Sequence, residues 1–389
     1  MQQPRLVTLA AASVAVIALL AATFGSVRLA AASLVGALAG FALYHAAFGF
    51  TAGWRHLIRE RRGGPFRAQL ALVAATTLCL LPLIAYSEAL GIRAGGFVFP
   101  FGVAVAIGAF MFGFGMQLAG GCGSGTLFTV GGGSSRMVVT LIFFIFGGLL
   151  ATHHFWIWQS LPRLPAVSLA GAIGPLGAIA ATAAALGALA LLTRRLERRA
   201  HGALAPARPM GRLLSGPWSL AVGAAALTLV SVLTVLTLGR PWGITSGLTL
   251  WGAQMAHQVG VPIEEWAYWR FAMGQVEASI FASGTSVMNL GLIAGAMLAA
   301  TLAGKFAPKL RLSRRDVLTA IVGGLLMGYG ARVAYGCNIG ALLSGIASGS
   351  LHGWGWFAFA FIGSIFGVRL RGRIGMDAPL QGRKAAMGT

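Results

Sequence analysis

Ten apolar runs of about 20 residues each dominate this chain, with approximate limits 6–26, 29–47, 67–88, 98–117, 137–155, 167–192, 217–238, 279–304, 316–336 and 352–370. Spanning the hydrocarbon core of a bilayer as a helix takes about 20 apolar residues. A water-soluble fold has no use for ten of them. Only 10% of the 389 residues are Asp, Glu, Lys or Arg, and 57% are hydrophobic. Soluble domains carry about 25% charged residues, so a soluble enzyme and a disordered chain are both excluded. The runs lack the two-residue alternation of a membrane barrel. The chain is therefore expected to be an all-α polytopic membrane protein with about ten transmembrane helices. No convincing cleavage site follows the first run, which is read as a retained helix.

The charge pattern orients these spans. The net charge is +21, from 29 basic and 8 acidic residues. The basic residues gather in four places: Arg55, Arg59, Arg61, Arg62 and Arg67; Arg194, Arg195, Arg198 and Arg199 with Arg208 and Arg212; Lys305, Lys309, Arg311, Arg314 and Arg315; and Arg369, Arg371 and Arg373 with Arg383 and Lys384. Lys and Arg collect in cytoplasmic loops, which accounts for the excess without nucleic acid. Placing all four clusters inside fits ten alternating spans with both termini cytoplasmic. The segments assigned outside carry Trp156, Trp158, Trp266, Tyr268 and Trp269, suited to an interfacial aromatic belt. Residues 262–270 are expected to lie there as a short interfacial helix.

The chain also repeats itself. Residues 113–128 (GFGMQLAGGCGSGTLF) align with 328–343 (GYGARVAYGCNIGALL), matching at seven of 16 positions with a constant offset of 215. A weaker pair, GFTAG at 49–53 and GITSG at 243–247, keeps the same order. The expected division is a first repeat over 1–165, a second over 166–375 and a cytoplasmic tail over 376–389. Five spans per repeat force the halves into the membrane in opposite directions, and such inverted repeats place substrate sites near the midplane. The Gly-rich elements are too short to span. As re-entrant hairpins they would form an hourglass, with half-helix N-termini aimed inward, an arrangement that favours an anion.

Within these elements the cysteines come first. An isolated cysteine in an apolar run is usually packing, and Cys79 reads that way. Cys122 and Cys337 stand at matching repeat positions, each preceded by glycine (Gly121, Gly336) and followed by another three residues later. That pairing favours a functional role over close helix packing. Gly123, Ser124 and Asn338 complete the two motifs. Arg332 and its repeat mate Gln117 are unexpected inside spans, where polar groups are usually functional; the bland alternative for Arg332 is snorkelling to the interface. Thr51 and Thr245 are candidate hydroxyl donors on the weaker pair. Glu277 is the one acid worth following. No histidine, cysteine or acid spacing suggests a metal, and no cofactor is expected. Proton and cation relays use intramembrane acids. Here the interior offers N–H, hydroxyl, thiol and guanidinium groups, which suit an anion.

At FGFTAGWR (48–55), GFGMQLAGGCGSGTLFTVGGG (113–133) and GYGARVAYGCNIGALLSGIASGSLHGWGWF (328–357) the sequence resembles the YeeE/YedE family of bacterial inner-membrane proteins. The resemblance implies a pseudo-symmetric hourglass through which a sulfur-containing anion, typically thiosulfate, passes along a narrow path into the cytoplasm. It implies that Cys122 and Cys337 meet the passing anion. The family's thiosulfate importers carry a further cysteine near the first hairpin; this chain has none at 48–56. Some relatives work with a soluble TusA-like sulfur carrier. The expected function is transport rather than catalysis, with Cys337 contacting the anion on the outer side and Cys122 on the inner side. Alternatives are transport of another sulfur or selenium species, an intramembrane thiol or persulfide carrier enzyme, and a channel for a small neutral solute.

Overall fold

The computed structural model describes residues 4–308 and 311–377; Lys309, Arg383, Lys384 and 378–389 of the expected tail lie outside the described residues. Among the described residues, ten helices are long and apolar enough to cross a membrane. The chain is an all-α polytopic membrane protein. The first half contains α1 (Pro4–Phe24), α2 (Val27–Ala46), α3 (Phe50–Glu60), α4 (Gly64–Ala85), α5 (Val103–Ala119), α6 (Gly123–Gly131), α7 (Ser135–His153) and α8 (Phe155–Gln159). The second contains α9 (Leu169–His201), α10 (Leu220–Leu238), α11 (Thr245–Gln258), α12 (Met273–Glu277), α13 (Gly284–Leu302), α14 (Arg314–Val333), a π-helical segment Asn338–Gly345 and α15 (Leu351–Arg373). Helices α3, α6, α11 and the π segment fall where the Gly-rich elements interrupt the apolar pattern.

Three parts of the chain differ from the sequence reading. Residues 98–102 are expected from the sequence to open the fourth span. They lie outside any helix, and Pro100–Gly102 pairs antiparallel with Arg163–Ala166. Proline cannot supply a ladder N–H and sits at such edges, so α5 starts only at Val103. Helix α9 runs on to His201 and is broken at Gly174, with φ 76° just before Pro175. The interfacial stretch 262–270 is a single 3₁₀ turn, Ile263–Glu265, followed by turns rather than a helix.

The bundle closes on small residues, because lipid tails offer no hydrophobic drive for helices to associate. Where α2 meets α13, a β-carbon on Gly40 would strike the Leu292 carbonyl, and one on Gly295 the Ala37 carbonyl. Gly113 of α5 faces the Ala360 carbonyl of α15, and Gly328 of α14 faces the Phe144 carbonyl of α7. Ser364 donates to the Gly113 carbonyl at 3.0 Å. Helices α5 and α14 cross at two reciprocal contacts, Gly108 with Gly330 and Gly115 with Gly323.

The two ends of the bundle differ in chemistry. Members of all four basic clusters share one face. Arg67 pairs with the buried Glu197 at 2.7 Å, Arg62 donates to the Ala203 carbonyl at 3.4 Å, and Arg315 donates to the Gly375 carbonyl at 2.6 Å. Asp377 bridges Arg59 at 3.0 Å and Arg371 at 3.1 Å. The opposite face is aromatic. Trp158 donates to the Tyr329 hydroxyl at 3.0 Å and Trp269 to Thr152 at 3.0 Å.

Candidate functional site

The two repeated cysteine motifs form the same turn. After α5 the chain reverses at Gly120, with φ 87°; after α14 the equivalent position is Tyr335, with φ 58°. Left-handed backbone is cheap for glycine and costly for tyrosine. Tyr335 is held there by a hydrogen bond from Gln159 at 2.9 Å and a stack on Phe99 with 5.0 Å between ring centroids. Gly121 and Gly336 then pass close over the next turn. A β-carbon would lie 3.2 Å from the Gly125 carbonyl carbon in one motif and 2.8 Å from the Ala341 nitrogen in the other. Cys122 and Cys337 follow in extended conformation as the N-caps of α6 and the π segment.

The structure brings these two cysteines together. A β-carbon on Gly123 would sit 3.2 Å from the Cys337 sulfur and 3.8 Å from Cγ2 of Ile244, the N-cap of α11. The Cys122 sulfur lies beside the amides of Gly125 and of Phe50, the first residue of α3. All four short helices therefore point their N-termini at one place. The expected separation of Cys337 outside from Cys122 inside is replaced by adjacency, because each chain folds back toward the middle after its turn.

None of the four short helices has a side-chain cap: Gly49, Cys122, Ile244 and Cys337 make no capping hydrogen bond. Serines cap α2, α9, α10, α13 and α14, whereas α4, α5, α7 and α15 also lack a side-chain cap. Uncapped first-turn amides, with the positive dipole end behind them, are anion donors. Two further features leave the centre ready for a ligand. Both amide atoms of Asn338 are buried without a partner among the described residues, a costly state for a native group. A β-carbon on the buried Gly340 would meet no atom within 4 Å, so the space beside Cys337 is open.

Other predicted residues support this centre. Ser124 lies 3.4 Å from the Cys122 sulfur. Gln117 donates to the Thr51 carbonyl at 3.3 Å, while its own Oε1 and the Thr51 hydroxyl are buried without partners among the described residues. Thr245 opens α11 at the same convergence. Arg332 stands apart. Its guanidinium donates to the Tyr268 hydroxyl at 2.7 Å and packs over Tyr268 and Phe155, placing it in the aromatic face. Cys79 faces outward from α4 and Glu277 is exposed on the aromatic face.

Several supporting residues escaped the sequence reading. Gln69 donates to the Gly49 carbonyl at 3.1 Å and accepts from Trp54 at 3.0 Å, fixing the start of α3. Asn289 donates to the Ile244 carbonyl at 2.9 Å and fixes the start of α11. Their signal was an amide side chain inside an apolar span. Arg136 donates to the Leu118 and Ala119 carbonyls at 2.7 and 2.6 Å, and Arg371 to the Gln117 carbonyl at 2.6 Å. Together they satisfy the end of α5 just before the Cys122 turn. Arg371 had been read only as a topology marker.

The fold is that of a polytopic helical membrane protein whose interrupted helices converge on two thiols. The chain belongs to the sulphur-transport family, whose model matches residues 45–366. It is 38% identical over 131 residues to the probable transporter YedE of Escherichia coli, covering 34% of this chain and 32% of that one. To the probable transporter YedE of Salmonella typhimurium it is 33% identical over 152 residues, covering 39% and 37%. To the thiosulfate transporter TsuA of Spirochaeta thermophila it is 44% identical over 77 residues, covering 19% and 23%. These matched stretches span between 23% and 37% of the relatives' own lengths.

Proposed function

We propose that the chain carries a sulfur-containing oxyanion, thiosulfate foremost, across the bacterial inner membrane into the cytoplasm, with the basic face inside. The observation that carries this reading is the meeting of Cys122 and Cys337 at four uncapped helix N-termini. The amides and dipole ends hold negative charge. Neutral thiols donate weak S–H hydrogen bonds, which suit a soft terminal sulfur. A set of weak donors passes an ion on, whereas a tight site would trap it. Asn338 supplies a further donor beside the open space at Gly340.

The reading includes two inverted halves, over 1–165 and 166–375. It is supported by packing that exchanges when the halves are swapped: Gly113 against α15 corresponds to Gly328 against α7. Similarity to the Spirochaeta relative, a thiosulfate transporter, supports thiosulfate as the anion.

The test is growth and labelled-thiosulfate uptake in a bacterium lacking its own importers. Wild-type protein restores both; Cys122→Ala and Cys337→Ala abolish uptake while membrane levels of folded protein stay normal. Normal uptake by both variants would overturn the thiol centre. Cys122→Ser keeps a hydrogen-bond donor and retains partial uptake, which a persulfide carrier would not.

A further inference from the structure

Arg240 lies between the end of α10 and the start of α11, on the aromatic face; its neighbour Gly239 accepts from the Gly95 amide at 2.9 Å. Its guanidinium donates to the Thr285 hydroxyl at 2.8 Å, and the exposed Ser246 also donates to Thr285, at 3.4 Å. Thr285 itself is 4% exposed. Two donors, the Arg240 guanidinium and the Ser246 hydroxyl, thus meet at the Thr285 oxygen. Among the described residues Arg240 makes no ion pair, and burial alone holds its pKa below the usual arginine value. Arginine stays charged in proteins, so this is a half-buried cation without a counter-ion. It is also a basic residue on the face that the positive-inside rule leaves poor in arginine. Four residues further on, Ile244 packs against Gly123 beside the Cys337 sulfur.

Resting on the transport reading above, we propose that Arg240, Ser246 and Thr285 form an outer capture site for a divalent or monovalent oxyanion, from which the anion moves past Ile244 to the thiol pair. The amides of Thr245 and Ser246 open the uncapped α11 helix next to the same donors, so one ligand is offered charge, hydroxyl and amide groups. Thiosulfate, sulfite and sulfate share the oxygen face that such donors recognise. Selection for soft sulfur belongs to the cysteines deeper in. The site raises the local anion concentration at the mouth of the path, as single-sign charges in clefts do.

The proposal is tested on the full-length protein with Ser246→Cys as a probe, in intact cells. Two membrane-impermeant thiol reagents are added outside, one bearing a sulfonate and one a trimethylammonium group, and modification at position 246 is followed by peptide mass spectrometry. The anionic reagent is expected to react faster. Arg240→Gln should lower the anionic-to-cationic rate ratio by about tenfold, and Arg240→Lys should restore most of it. Millimolar thiosulfate should slow labelling. In the Ser246 background, Arg240→Gln should raise the KM for uptake about tenfold with little change in maximal rate. A rate ratio indifferent to Arg240, or no labelling from outside, overturns the capture site. If sulfate protects and thiosulfate does not, the capture site stands and the thiosulfate reading falls.

Discussion

At the scale of single residues, the centre of the molecule separates packing from function unusually well at Gly340. The residue is buried, yet a side-chain methyl there meets no atom within 4 Å. Gly340→Ala should therefore leave thermal stability within about 0.5 kcal/mol of wild type, the range of substitutions that disturb no packing. Because the methyl would occupy the space beside Cys337, uptake should fall about tenfold or more, as a misplacement of about 1 Å does at a positioned site. Parallel melting curves and initial uptake rates check this; unchanged uptake would place the path elsewhere. Cys122 and Cys337 were legible in the sequence because the repeat set them side by side in an alignment. Their contact in space was not. The repeat fixes equivalence of positions, whereas adjacency depends on how far each chain folds back after Gly120 and Tyr335. Arg332 shows the converse: its rarity inside a span drew attention, but its hydroxyl and ring partners, Tyr268 and Phe155, lie 64 and 177 residues away in sequence.

At the scale of elements, most spanning helices are readable in the sequence to within about five residues because hydrocarbon thickness sets their length, the exception being α9, which continues past the apolar run to His201. The short helices were readable only as interruptions, and what anchors them comes from distant parts of the chain. The last carbonyls of α5 have no intrahelical partner, and Arg136 and Arg371 supply one from α7 and α15. Arg136 also contacts Thr319 at 3.0 Å and Asp316 at 3.7 Å, so removing it leaves several groups unpaired. Arg136→Gln is expected to lower stability in detergent by about 1–3 kcal/mol, the cost of leaving buried groups unsatisfied. It should also loosen the Cys122 turn that α5 feeds. Hydrogen exchange at 120–126 should then rise relative to 335–341, whose turn does not rest on Arg136. Equal protection of the two turns in the variant would remove Arg136 from any role in shaping the Cys122 motif. The non-helical stretch 98–102 reads as helix in the sequence for a related reason. Its residues are apolar enough for a span, and only the partner strand at 163–166 decides against one.

At the scale of the whole molecule, the proposed inverted halves make a quantitative demand. If the protein is two copies of one packing scheme, substitutions at mated positions must have matching effects even though their neighbours differ in sequence. Gly113 and Gly328 are the sharpest pair. Each sits where α5 or α14 crosses the last spanning helix of the other half, and in each a β-carbon would overlap a backbone carbonyl, that of Ala360 or Phe144. Backbone cannot move aside as a flexible side chain can, so the helices must separate. Overpacking of this kind costs about 1–3 kcal/mol, and in a membrane no hydrophobic drive offsets the lost contact. Gly113→Ala and Gly328→Ala should therefore destabilise the protein by similar amounts, while Gly187→Ala on α9, with nothing within 4 Å, should be neutral. The double variant should depart from the sum of the two singles, because α5 and α14 pack on each other at Gly108–Gly330 and Gly115–Gly323, and sites coupled through a shared backbone shift are not additive. Thermal unfolding in one detergent measures all four proteins. A large loss at one glycine with tolerance at its mate would show that the two halves pack by different rules, and that their sequence repeat is a relic rather than a working symmetry.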